Sequence, residues 1–369
     1  MKVALVHDWL NTKYGGAERV LEQLAKIYPE APIHTLIYNQ EAGGSIDPSR
    51  IRTSWLQRLP RWLQRRSRYL LPLIPTAIEQ FDLSQYDVVI SSSAAFSKGV
   101  ITKPETLHVC YCHTPTRFVW DYWPRYLNEQ KVGPLRRAVI HRLTSKLRLW
   151  DYYSAERVDS WVANSQTTAA RINKYYRQKV DAVIYPGVEV EQFKPVKPDQ
   201  KQDYFVTLGM LTPYKKIDLA IAACNQLKRR LIVIGDGPDR ARLEKLAGPT
   251  IEFAGYVDSA TRSKLVAEAQ ALIFANEEDF GIAPVEAMAG GTAVIAYNKG
   301  GLTETVVDGV TGCFFNQPTA DSLVESLKTF KASDFKTKAL TDQAQKFSQQ
   351  RFADKIQSYV SQRYQDYVG

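Results

Sequence analysis

Two glutamates are the side chains of this sequence best placed to do chemistry. Glu278 and Glu286 lie eight residues apart in a segment, residues 276–291, that follows the apolar run 271–275. Pro284 fits the first turn of a helix, where its missing N–H costs nothing. The N–H groups that would point out of this helix start belong to Phe280, Gly281, Ile282 and Ala283.

A helix start of this kind binds anions or hydroxyl oxygens without further help. Because eight residues separate Glu278 from Glu286, the two carboxylates need not touch and could contact opposite ends of one extended ligand. On composition alone, two solvated glutamates at a helix end are the commoner arrangement, since surface glutamate is frequent.

A histidine at the end of another apolar run is a second candidate. His113 follows residues 107–112 and precedes a Thr-Pro turn. Ligands bind beyond the carboxyl ends of parallel strands, which favours a functional role, whereas a lone histidine is more often structural; both interpretations stay open. Cys110 and Cys112 share one face of this strand, and we expect them to pack in the core because Cys-x-Cys is not zinc spacing.

The sequence predicts chemistry without a metal or a dinucleotide cofactor. Residues 235–240 contain Gly-x-Gly, but Arg240 stands where a dinucleotide loop needs its third glycine. No Asp-x-Asp motif occurs in the chain, so metal-dependent binding of a diphosphate is disfavoured. A helix start and a lysine neutralise a diphosphate without a metal, and we expect no cofactor.

These residues need a scaffold, and the apolar runs predict one. Short β-branched runs alternate with longer helical patterns, which indicates an α/β fold with doubly wound parallel sheets. The predicted strands are residues 3–6, 88–91, 107–112, 161–163, 182–185, 204–208, 230–235, 251–253, 271–275 and 293–297. The predicted helices include residues 17–28, 167–176, 219–227, 239–246, 260–269 and 285–289.

Chain length and composition predict two folded domains. A chain of 369 residues exceeds the ~250–300 residues at which single cores stop growing. A polar, proline-bearing stretch near residues 187–203 has the composition of a linker and precedes a fresh series of strands. We expect a first domain at 1–187 and a second at 188–345, with a C-terminal helical segment, 346–369, returning to the first.

Composition also excludes several classes of protein. Hydrophobic residues make up 44% and charged residues 24% of the chain, and four cysteines exclude a disulfide scaffold. No apolar run approaches the ~20 residues that span a bilayer, and the first run is too short for a secretory signal. We therefore expect a cytoplasmic protein.

The net charge of +9 is concentrated in two segments. Residues 51–78 and residues 130–150 each carry six lysines or arginines and no acid, so the remainder of the chain is net negative. Apolar side chains recur at helical spacing between the basic ones, a composition typical of helices that lie on anionic lipid. The residues assigned to this acceptor or membrane face are Arg58, Arg61, Trp62, Arg65, Arg66, Arg136 and Arg137.

Two other interpretations of the basic segments compete with a membrane surface. Residues 135–150 fit an ordinary helix equally well, with the stripe of Leu135, Val139, Leu143 and Leu147 facing the core. Nucleic-acid binding ranks low, because no recognised reading motif occurs and the aromatic residues fall on the apolar stripe. In residues 54–74, Pro60 predicts two short helices in place of one.

Several motifs together resemble glycosyltransferase family 4, whose members are retaining enzymes with the GT-B fold of two Rossmann-like domains facing a central cleft. Residues 278–286, Glu-Asp-Phe-Gly-Ile-x-x-x-Glu, resemble the family signature. Further matches, in chain order, are residues 15–19, 162–165, 185–188, 211–218, 233–238, 300–304 and 308–312. The resemblance covers nearly the whole chain and is tightest over residues 204–315.

The resemblance implies a role for each matched residue. Glu286 would hold the ribose hydroxyls of a nucleotide-sugar, and Glu278 would lie near the donor sugar. Lys215 and the amides of residues 280–283 would meet the diphosphate, and His113 would face the donor sugar; we assign Glu278, His113 and Lys215 as catalytic. The remaining donor residues are Gly15 and Gly16 of a glycine loop, Lys216, and Tyr256 and Val257 at the edge of the base pocket.

One position departs from the family pattern. Met210 stands where the family carries an arginine that shares the diphosphate with Lys215. Stabilising the leaving group is the main task of such an enzyme, so the loss of one cation matters. Lys216 or Arg19 could compensate; alternatively, the protein is an inactive, membrane-associated binder of nucleotide-sugars.

The resemblance implies transfer of a hexose from a nucleotide-sugar to an acceptor hydroxyl with retained configuration. A UDP-sugar is favoured over GDP-mannose. The basic segments favour a lipid-linked glycan in polysaccharide synthesis as the acceptor, with the protein peripheral on the inner face of the plasma membrane. No carboxylate is placed as a glycosidase-type nucleophile, so front-face attack is expected. A soluble glycosyltransferase acting on a small metabolite is the remaining alternative.

Overall fold

The computed structural model describes residues 1–10, 15–40, 44–64, 69–121 and 133–369, with the backbone alone for residues 134–136 and 198. These residues form two compact units. Unit 1 consists of Met1–Tyr185 together with Ala353–Gly369, and unit 2 consists of Pro186–Phe352. Each unit is built on one parallel sheet.

The sheet of unit 1 has seven strands within the described ranges. They are β1 (Val3–His7), β2 (Ile33–Thr35), β3 (Ile51–Thr53), β4 (Val88–Ser93), β5 (Leu107–Cys112), β6 (Ser160–Ala163) and β7 (Ala182–Val183). Their order is β3-β2-β1-β4-β5-β6-β7, and neighbouring strands are parallel. The order reverses between β1 and β4.

The sheet of unit 2 has six strands among the described residues. They are β8 (Phe205–Leu208), β9 (Leu231–Ile234), β10 (Ile251–Gly255), β11 (Ala271–Phe274), β12 (Ala293–Tyr297) and β13 (Gly312–Phe315). Their order is β10-β9-β8-β11-β12-β13, again with parallel neighbours. The order reverses between β8 and β11.

Helices follow most of these strands. In chain order they are α1 (Gly16–Ile27), α2 (Arg61–Gln64), α3 (Ile74–Glu79), α4 (Pro134–Ala155), α5 (Gln166–Tyr176), α6 (Ile217–Leu227), α7 (Arg240–Leu246), α8 (Ser259–Glu268), α9 (Ile282–Ala289), α10 (Leu302–Thr305), α11 (Ala320–Thr329), α12 (Thr337–Gln345) and α13 (Gln349–Val368). A 3-10 turn at Trp55–Arg58 precedes Pro60, and α2 follows it, so the predicted interruption is present.

The predicted doubly wound α/β fold is confirmed, and its central strands are buried on both faces. All four residues of β9 are buried, as expected for an apolar run without alternation. The ten predicted strands are present, with ends within two residues of the prediction. β2, β3 and β13 lack a sequence prediction. A polar or charged residue interrupts the three-residue runs of β2 and β3, and β13 begins with glycine, which is depleted in strands. Cys110 and Cys112 are buried in β5, as predicted.

The boundaries between the units lie at 185/186 and 352/353, whereas the sequence analysis places them at 187/188 and 345/346. Backbone hydrogen bonds account for the difference. The N–H of Val188 donates to Phe347 (2.8 Å), and the N–H of Gln349 donates to Val188 (3.2 Å). These bonds place both segments in unit 2. The later part of α13 belongs to unit 1, where Tyr359 Oη lies 2.6 Å from Ser160 Oγ.

A buried ion pair ties α4 to the core of unit 1. Lys98 Nζ lies 2.5 Å from Asp151 Oδ1, and the two side chains are 1% and 0% exposed. Asp151 also accepts hydrogen bonds from Thr116 Oγ1 and Trp120 Nε1, both at 2.7 Å. Because a buried charge is tolerated only when it is paired and hydrogen-bonded, this full set of partners marks a structural network.

Burial lowers the pKa of His34 to about 4, with Arg52 adding a smaller effect in the same direction. The imidazole lies between the rings of Phe81 and Tyr86, with centroid distances of 5.2 and 6.0 Å. Within the described residues, neither of its ring nitrogens has a hydrogen-bond partner. The folded state therefore favours the neutral form of this side chain.

We expect the free energy of unfolding to fall as the pH is lowered from about 7.5 to about 5. The unfolded His34 takes up a proton near its ordinary pKa of ~6.5, whereas the folded side chain does so near 4, so the unfolded state binds more protons in this window. The contribution of His34 is about 2 kcal/mol.

Urea unfolding of His34→Phe at the two pH values measures this contribution. The substitution keeps an aromatic ring beside Phe81 and Tyr86, and it should reduce the fall in unfolding free energy between the two pH values by about 2 kcal/mol. His108 and His113, whose pKa values are also lowered by burial, keep the remaining pH dependence. The matched control is His141→Gln, at an exposed position on α4. An unchanged pH dependence in His34→Phe would contradict the assignment.

Candidate active site

The loops that follow β8 and β11 lie side by side at one edge of the sheet of unit 2. These two strands are neighbours at the point where the strand order reverses. Ligands of open α/β sheets bind at this position, beyond the carboxyl ends of the strands. The loops are residues 209–216 and 275–281, and they carry Lys215 and Glu278.

Lys215 and Glu278 form an ion pair between these two loops. Lys215 Nζ contacts Glu278 Oε1, and the side chains are 25% and 21% exposed. Asn276 Nδ2 donates a second hydrogen bond to the same carboxylate oxygen, at 2.7 Å. Because Asn276 is buried, it fixes the position of Glu278. The ion pair places a cation and an anion together at the edge of the sheet.

The helix start predicted after β11 is present. α9 begins at Ile282, and its N-cap Gly281 has φ 92°, in the left-handed region that favours glycine. A Cβ at this position would also lie 2.9 Å from Leu302 Cδ2. Pro284 is in the first turn, as predicted, and the buried Phe280 packs edge-on against Phe347 at 5.5 Å.

This helix start supplies backbone N–H groups a few residues after Glu278. The first N–H groups of an α-helix have no intrahelical acceptor and carry the positive end of the helix dipole. Ile282 and Ala283, which supply N–H groups of the first turn, are half-buried. The edge of the sheet therefore combines these amides with the ammonium group of Lys215.

Glu286 is buried in unit 2, with 4% of its surface exposed. Its Oε1 accepts a hydrogen bond from Nη2 of Arg262, on α8, at 3.2 Å. A carboxylate this buried needs a compensating charge, which Arg262 supplies. The alternative of two solvated glutamates is therefore wrong, because Glu286 is enclosed and Glu278 is ion-paired.

Tyr256 and Val257 follow the carboxyl end of β10. Tyr256 is 85% exposed and Val257 is half-buried. The Gly-x-Gly of residues 235–237, after β9, serves packing: a Cβ on Gly237 would lie 2.4 Å from the carbonyl oxygen of Leu211. The glycine is thus explained by the close approach of two loops.

Met210 lies in the loop after β8 and is 49% exposed. In the same loop, Lys216 is exposed and adopts φ 53° immediately before α6. Within the described ranges, no group of three or more His, Cys, Asp or Glu side chains is placed to hold a metal ion.

Asp8 organises the corresponding edge of unit 1, directly after β1. Its carboxylate is buried and accepts four backbone hydrogen bonds from the loop after β4. The donors are Ala94 (2.7 Å), Ala95 (2.9 Å), Phe96 (2.6 Å) and Ser97 (2.6 Å). Asp8 therefore fixes the course of this loop.

His113 lies beyond β5 on the same edge of the sheet. Its Nε2 lies 2.8 Å from Ser92 Oγ, which is itself 3.2 Å from Nδ1 of His7. Burial lowers the pKa of His113 to about 3, and His7 adds to the effect. The side chain is therefore a neutral imidazole at neutral pH, suited to hydrogen bonding.

The glycine loop of unit 1 leads into α1. Gly15 is the N-cap residue, and its N–H donates to Glu18 Oε2 at 3.0 Å. Gly16 is the exposed first residue of the helix. One of the backbone N–H groups at this helix start is thus hydrogen-bonded to a carboxylate.

The basic residues assigned to a membrane face are exposed where the structure describes them. Trp62 is 62% exposed, and Arg58, Arg61 and Arg137 are also exposed. Arg65, Arg66 and the side chain of Arg136 lie outside the described residues. Among the described residues, no helix has both the length and the apolar character to cross a membrane.

The stripe on α4 does not face the core along its length. Val139 is 54% exposed and Leu143 is 45% exposed, whereas Leu147 is buried. The interpretation of this helix as an ordinary one with a core-facing stripe is therefore wrong for Val139 and Leu143. The side chain of Leu135 lies outside the described residues.

Two family profiles match consecutive parts of the chain. The profile described as Glycosyltransferase Family 4 matches residues 14–192, and that described as Glycosyl transferases group 1 matches residues 188–347. The chain belongs to glycosyltransferase family 4. The sequence resemblance is thus confirmed over both units.

Curated relatives of this chain are similar over different lengths. D-inositol 3-phosphate glycosyltransferase of Segniliparus rotundus is 29% identical over 181 residues, which are 42% of this chain and 40% of that protein. An alpha-1,3/1,6-mannosyltransferase of Kluyveromyces lactis is 24% identical over 373 residues, with 83% of this chain and 71% of that protein covered. The chain thus spans about two fifths of the length of the first of these relatives.

A solved structure shares the fold of this chain. HepE of Anabaena, in complex with UDP and glucose, aligns with a TM-score of 0.67 at 18% identity. The alignment covers 98% of this chain and 99% of that chain. The fold class of the two Rossmann-like units is GT-B, as the resemblance predicted.

Three residues at these sites were not among the sequence-based candidates. Asp8 and Asn276 lie one and two residues beyond the ends of β1 and β11, and a polar residue directly after an apolar strand is a signal that could have found them. Arg262 carries no such signal, because it lies within a helix and its pairing with Glu286 depends on the packing of α8 and α9.

We expect Asp8→Asn to lower the free energy of unfolding by about 2–4 kcal/mol, since the new amide turns an N–H donor toward backbone N–H donors in a buried position. Urea unfolding at constant pH measures the loss. The matched control is Asp47→Asn, an exposed cap that binds Ser49 N–H at 2.9 Å, for which we expect a much smaller change. Equal losses of unfolding free energy in the two variants would show that the buried carboxylate of Asp8 contributes no more to stability than an exposed cap.

Proposed function

We propose that this glycosyltransferase moves a hexose from a nucleotide-sugar to an acceptor hydroxyl, with retained configuration at the anomeric carbon. The observation that carries the proposal is the arrangement in unit 2 of the Lys215–Glu278 ion pair, the start of α9 and the buried Glu286. These groups match the parts of a nucleotide-sugar. A helix start beside a lysine suits a diphosphate, and a buried carboxylate suits a ribose diol.

In the proposed step, the bond between the anomeric carbon and the diphosphate oxygen breaks, and the acceptor oxygen bonds to the same face of that carbon. The departing diphosphate takes up the acceptor proton. Lys215 and the amides of residues 280–283 stabilise the charge on the leaving group. Glu278 positions the sugar, and His113 orients a hydroxyl as a neutral imidazole.

The donor site is proposed to work without a metal ion. A helix dipole and a lysine neutralise a diphosphate directly. Gly15 and Gly16 are proposed as donor residues because glycine leaves the backbone room beside a phosphate, and Lys216 is proposed as a second cation in the loop of Lys215. Tyr256 and Val257 are proposed to form the edge of the base pocket.

We favour a UDP-sugar as the donor. The complex of the structurally similar HepE with UDP and glucose supports this choice. GDP-mannose is the alternative, and the similarity to a mannosyltransferase of Kluyveromyces lactis favours mannose as the transferred sugar in that case. The two donors differ in their nucleotide base, so a panel of nucleotide-sugars distinguishes them.

The competing proposal is an inactive protein that only binds nucleotide-sugars. It is motivated by Met210, which is a thioether where the family carries a cation. We favour activity because Lys215, Lys216 and the helix start are retained around this position. Turnover of the donor separates the two proposals.

We expect the protein to release free nucleoside diphosphate slowly from one member of a donor panel in the presence of EDTA. The panel contains UDP-glucose, UDP-galactose and GDP-mannose. Glu286→Ala should lower kcat/KM for that donor about 10- to 100-fold, the effect of losing hydrogen bonds to a charged group. The matched control is Glu325→Ala, at an exposed carboxylate of α11, which should leave the rate unchanged.

Three outcomes of this panel would contradict parts of the proposal. Loss of activity in EDTA that is restored by a divalent cation would overturn metal independence. Equal rates for Glu286→Ala and the wild type would contradict the proposed contact between Glu286 and the ribose. If every donor is silent while UDP or GDP raises the melting temperature, Met210→Arg and a lipid-linked glycan distinguish a missing acceptor from an inactive protein.

We propose that the acceptor is a lipid-linked glycan used in polysaccharide synthesis and that unit 1 lies on the inner face of the plasma membrane. Support comes from the exposed side chains of Arg58, Arg61, Trp62 and Arg137, and from Val139 and Leu143 on α4. Exposed apolar side chains among arginines suit an interface with anionic lipid. Arg65, Arg66 and Arg136 are assigned to this surface from the sequence.

We expect the protein to bind vesicles that contain phosphatidylglycerol and not vesicles of phosphatidylcholine alone, and to dissociate when salt is added. Arg61→Glu combined with Trp62→Ala should weaken binding about tenfold or more, since each basic residue near a membrane contributes ~1 kcal/mol. Lys338→Glu, at an exposed site of unit 2, is the matched control. Equal binding of both variants, measured by vesicle flotation, would favour a soluble enzyme acting on a small metabolite.

A further inference from the structure

Arg262 lies one turn beyond the loop proposed to contact the nucleotide base. That loop contains Tyr256 and Val257, and α8 follows it, with Asp258 as the N-cap residue. Asp258 Oδ1 accepts a hydrogen bond from the N–H of Thr261 at 2.9 Å, and Oδ2 accepts one from Thr261 Oγ1 at 2.8 Å. The first turn of α8, from which Arg262 projects, is therefore fixed to the loop.

The guanidinium of Arg262 contacts the ring of Phe193 and the carboxylate of Glu286, the group proposed to bind the ribose. Nη2 donates to Glu286 Oε1 at 3.2 Å, and the Arg262 and Glu286 side chains are 19% and 5% exposed. The guanidinium carbon lies 5.7 Å from the ring centroid of Phe193. Contacts on two sides set the orientation of the arginine, and through it that of the carboxylate.

One donor of this arginine lacks an acceptor. Nε of Arg262 is buried, and it has no hydrogen-bond partner in the described part of the chain. Since Nε makes no hydrogen bond there, the orientation of the guanidinium depends on its contacts with Glu286 and Phe193.

We infer that Arg262 is the positioning residue of the donor site: it orients the Glu286 carboxylate for the two ribose hydroxyls and so sets the affinity for the ribonucleoside part of the donor. The inference rests on the proposed function of the same site. Arg262 touches the carboxylate and not the reacting atoms. Its loss should therefore weaken donor binding while leaving the chemical step nearly unchanged.

Binding of nucleotides with and without ribose hydroxyls tests this role. UDP and GDP are titrated into the full-length protein by calorimetry, followed by the 2′,3′-dideoxy form of whichever nucleotide binds. Removal of the hydroxyls should weaken binding to the wild type about 10- to 100-fold, as expected for hydrogen bonds to a charged group. Arg262→Met should weaken binding of the ribonucleotide by a similar factor and that of the dideoxynucleotide less than about twofold.

Two further variants separate positioning from structure. Arg262→Lys keeps the cation and should recover part of the lost affinity, although its ammonium lacks the planar fork of arginine. Lys264→Met, on the same helix and next to Glu268, removes a cation without touching Glu286 and should bind like the wild type. In turnover with the matching nucleotide-sugar, Arg262→Met should raise KM about 10-fold or more and change kcat less than about threefold.

The outcomes distinguish failure of this inference from failure of the proposed function. Equal loss for ribo- and dideoxynucleotides in Arg262→Met would show that the arginine is merely structural. Equal affinity of the wild type for the ribonucleotide and the dideoxynucleotide would contradict the contact between Glu286 and the ribose. It would not contradict the proposed donor site as a whole. A wild type that binds neither UDP nor GDP would overturn both. If Arg262→Met fails to fold, as judged by thermal unfolding, the same comparison is made with Arg262→Lys.

Discussion

Parallel pairing of strands is the constraint on which the rest of this structure depends. Since every parallel connection crosses over the sheet, all strands deliver their carboxyl ends to one edge. In unit 2 this brings Lys215 into contact with Glu278, 63 residues further along the chain. In unit 1 it brings Asp8 to backbone N–H groups 86 to 89 residues away. Ligands of open α/β sheets bind where the strand order reverses, and both pairs lie at such a point.

The two units compensate their buried charges in different ways. In unit 1, Asp8 is satisfied by four backbone donors, and Asp151 by one lysine and two neutral donors. In unit 2, Glu278 stays partly exposed, and the partner of Glu286 retains an unsatisfied N–H. Complete satisfaction suits a rigid scaffold, whereas partial satisfaction suits a site that gains contacts when a ligand binds.

Much of the fold could be predicted because its signals are local. The run of β9 is apolar without alternation, and that pattern is typical of a strand buried on both faces. The glycine before α9 and the proline in its first turn mark the helix start by their backbone preferences. The short strands β2, β3 and β13 carry no such signal. On α4, periodicity identifies which residues share a face, but it does not specify whether another element covers that face, and Val139 and Leu143 are exposed.

The sequence by itself determined the chemical groups at the strand ends and the family to which the chain belongs, because motifs and periodicity are properties of neighbouring residues. It placed Glu278, Glu286, Lys215 and the amides of α9 in one candidate site. Only the tertiary structure decided that Asn276 holds Glu278, that Arg262 holds Glu286, and that His113 is buried beside Ser92. These contacts depend on side-chain packing and on the order of strands in the sheet, and neither follows from the local pattern of the chain.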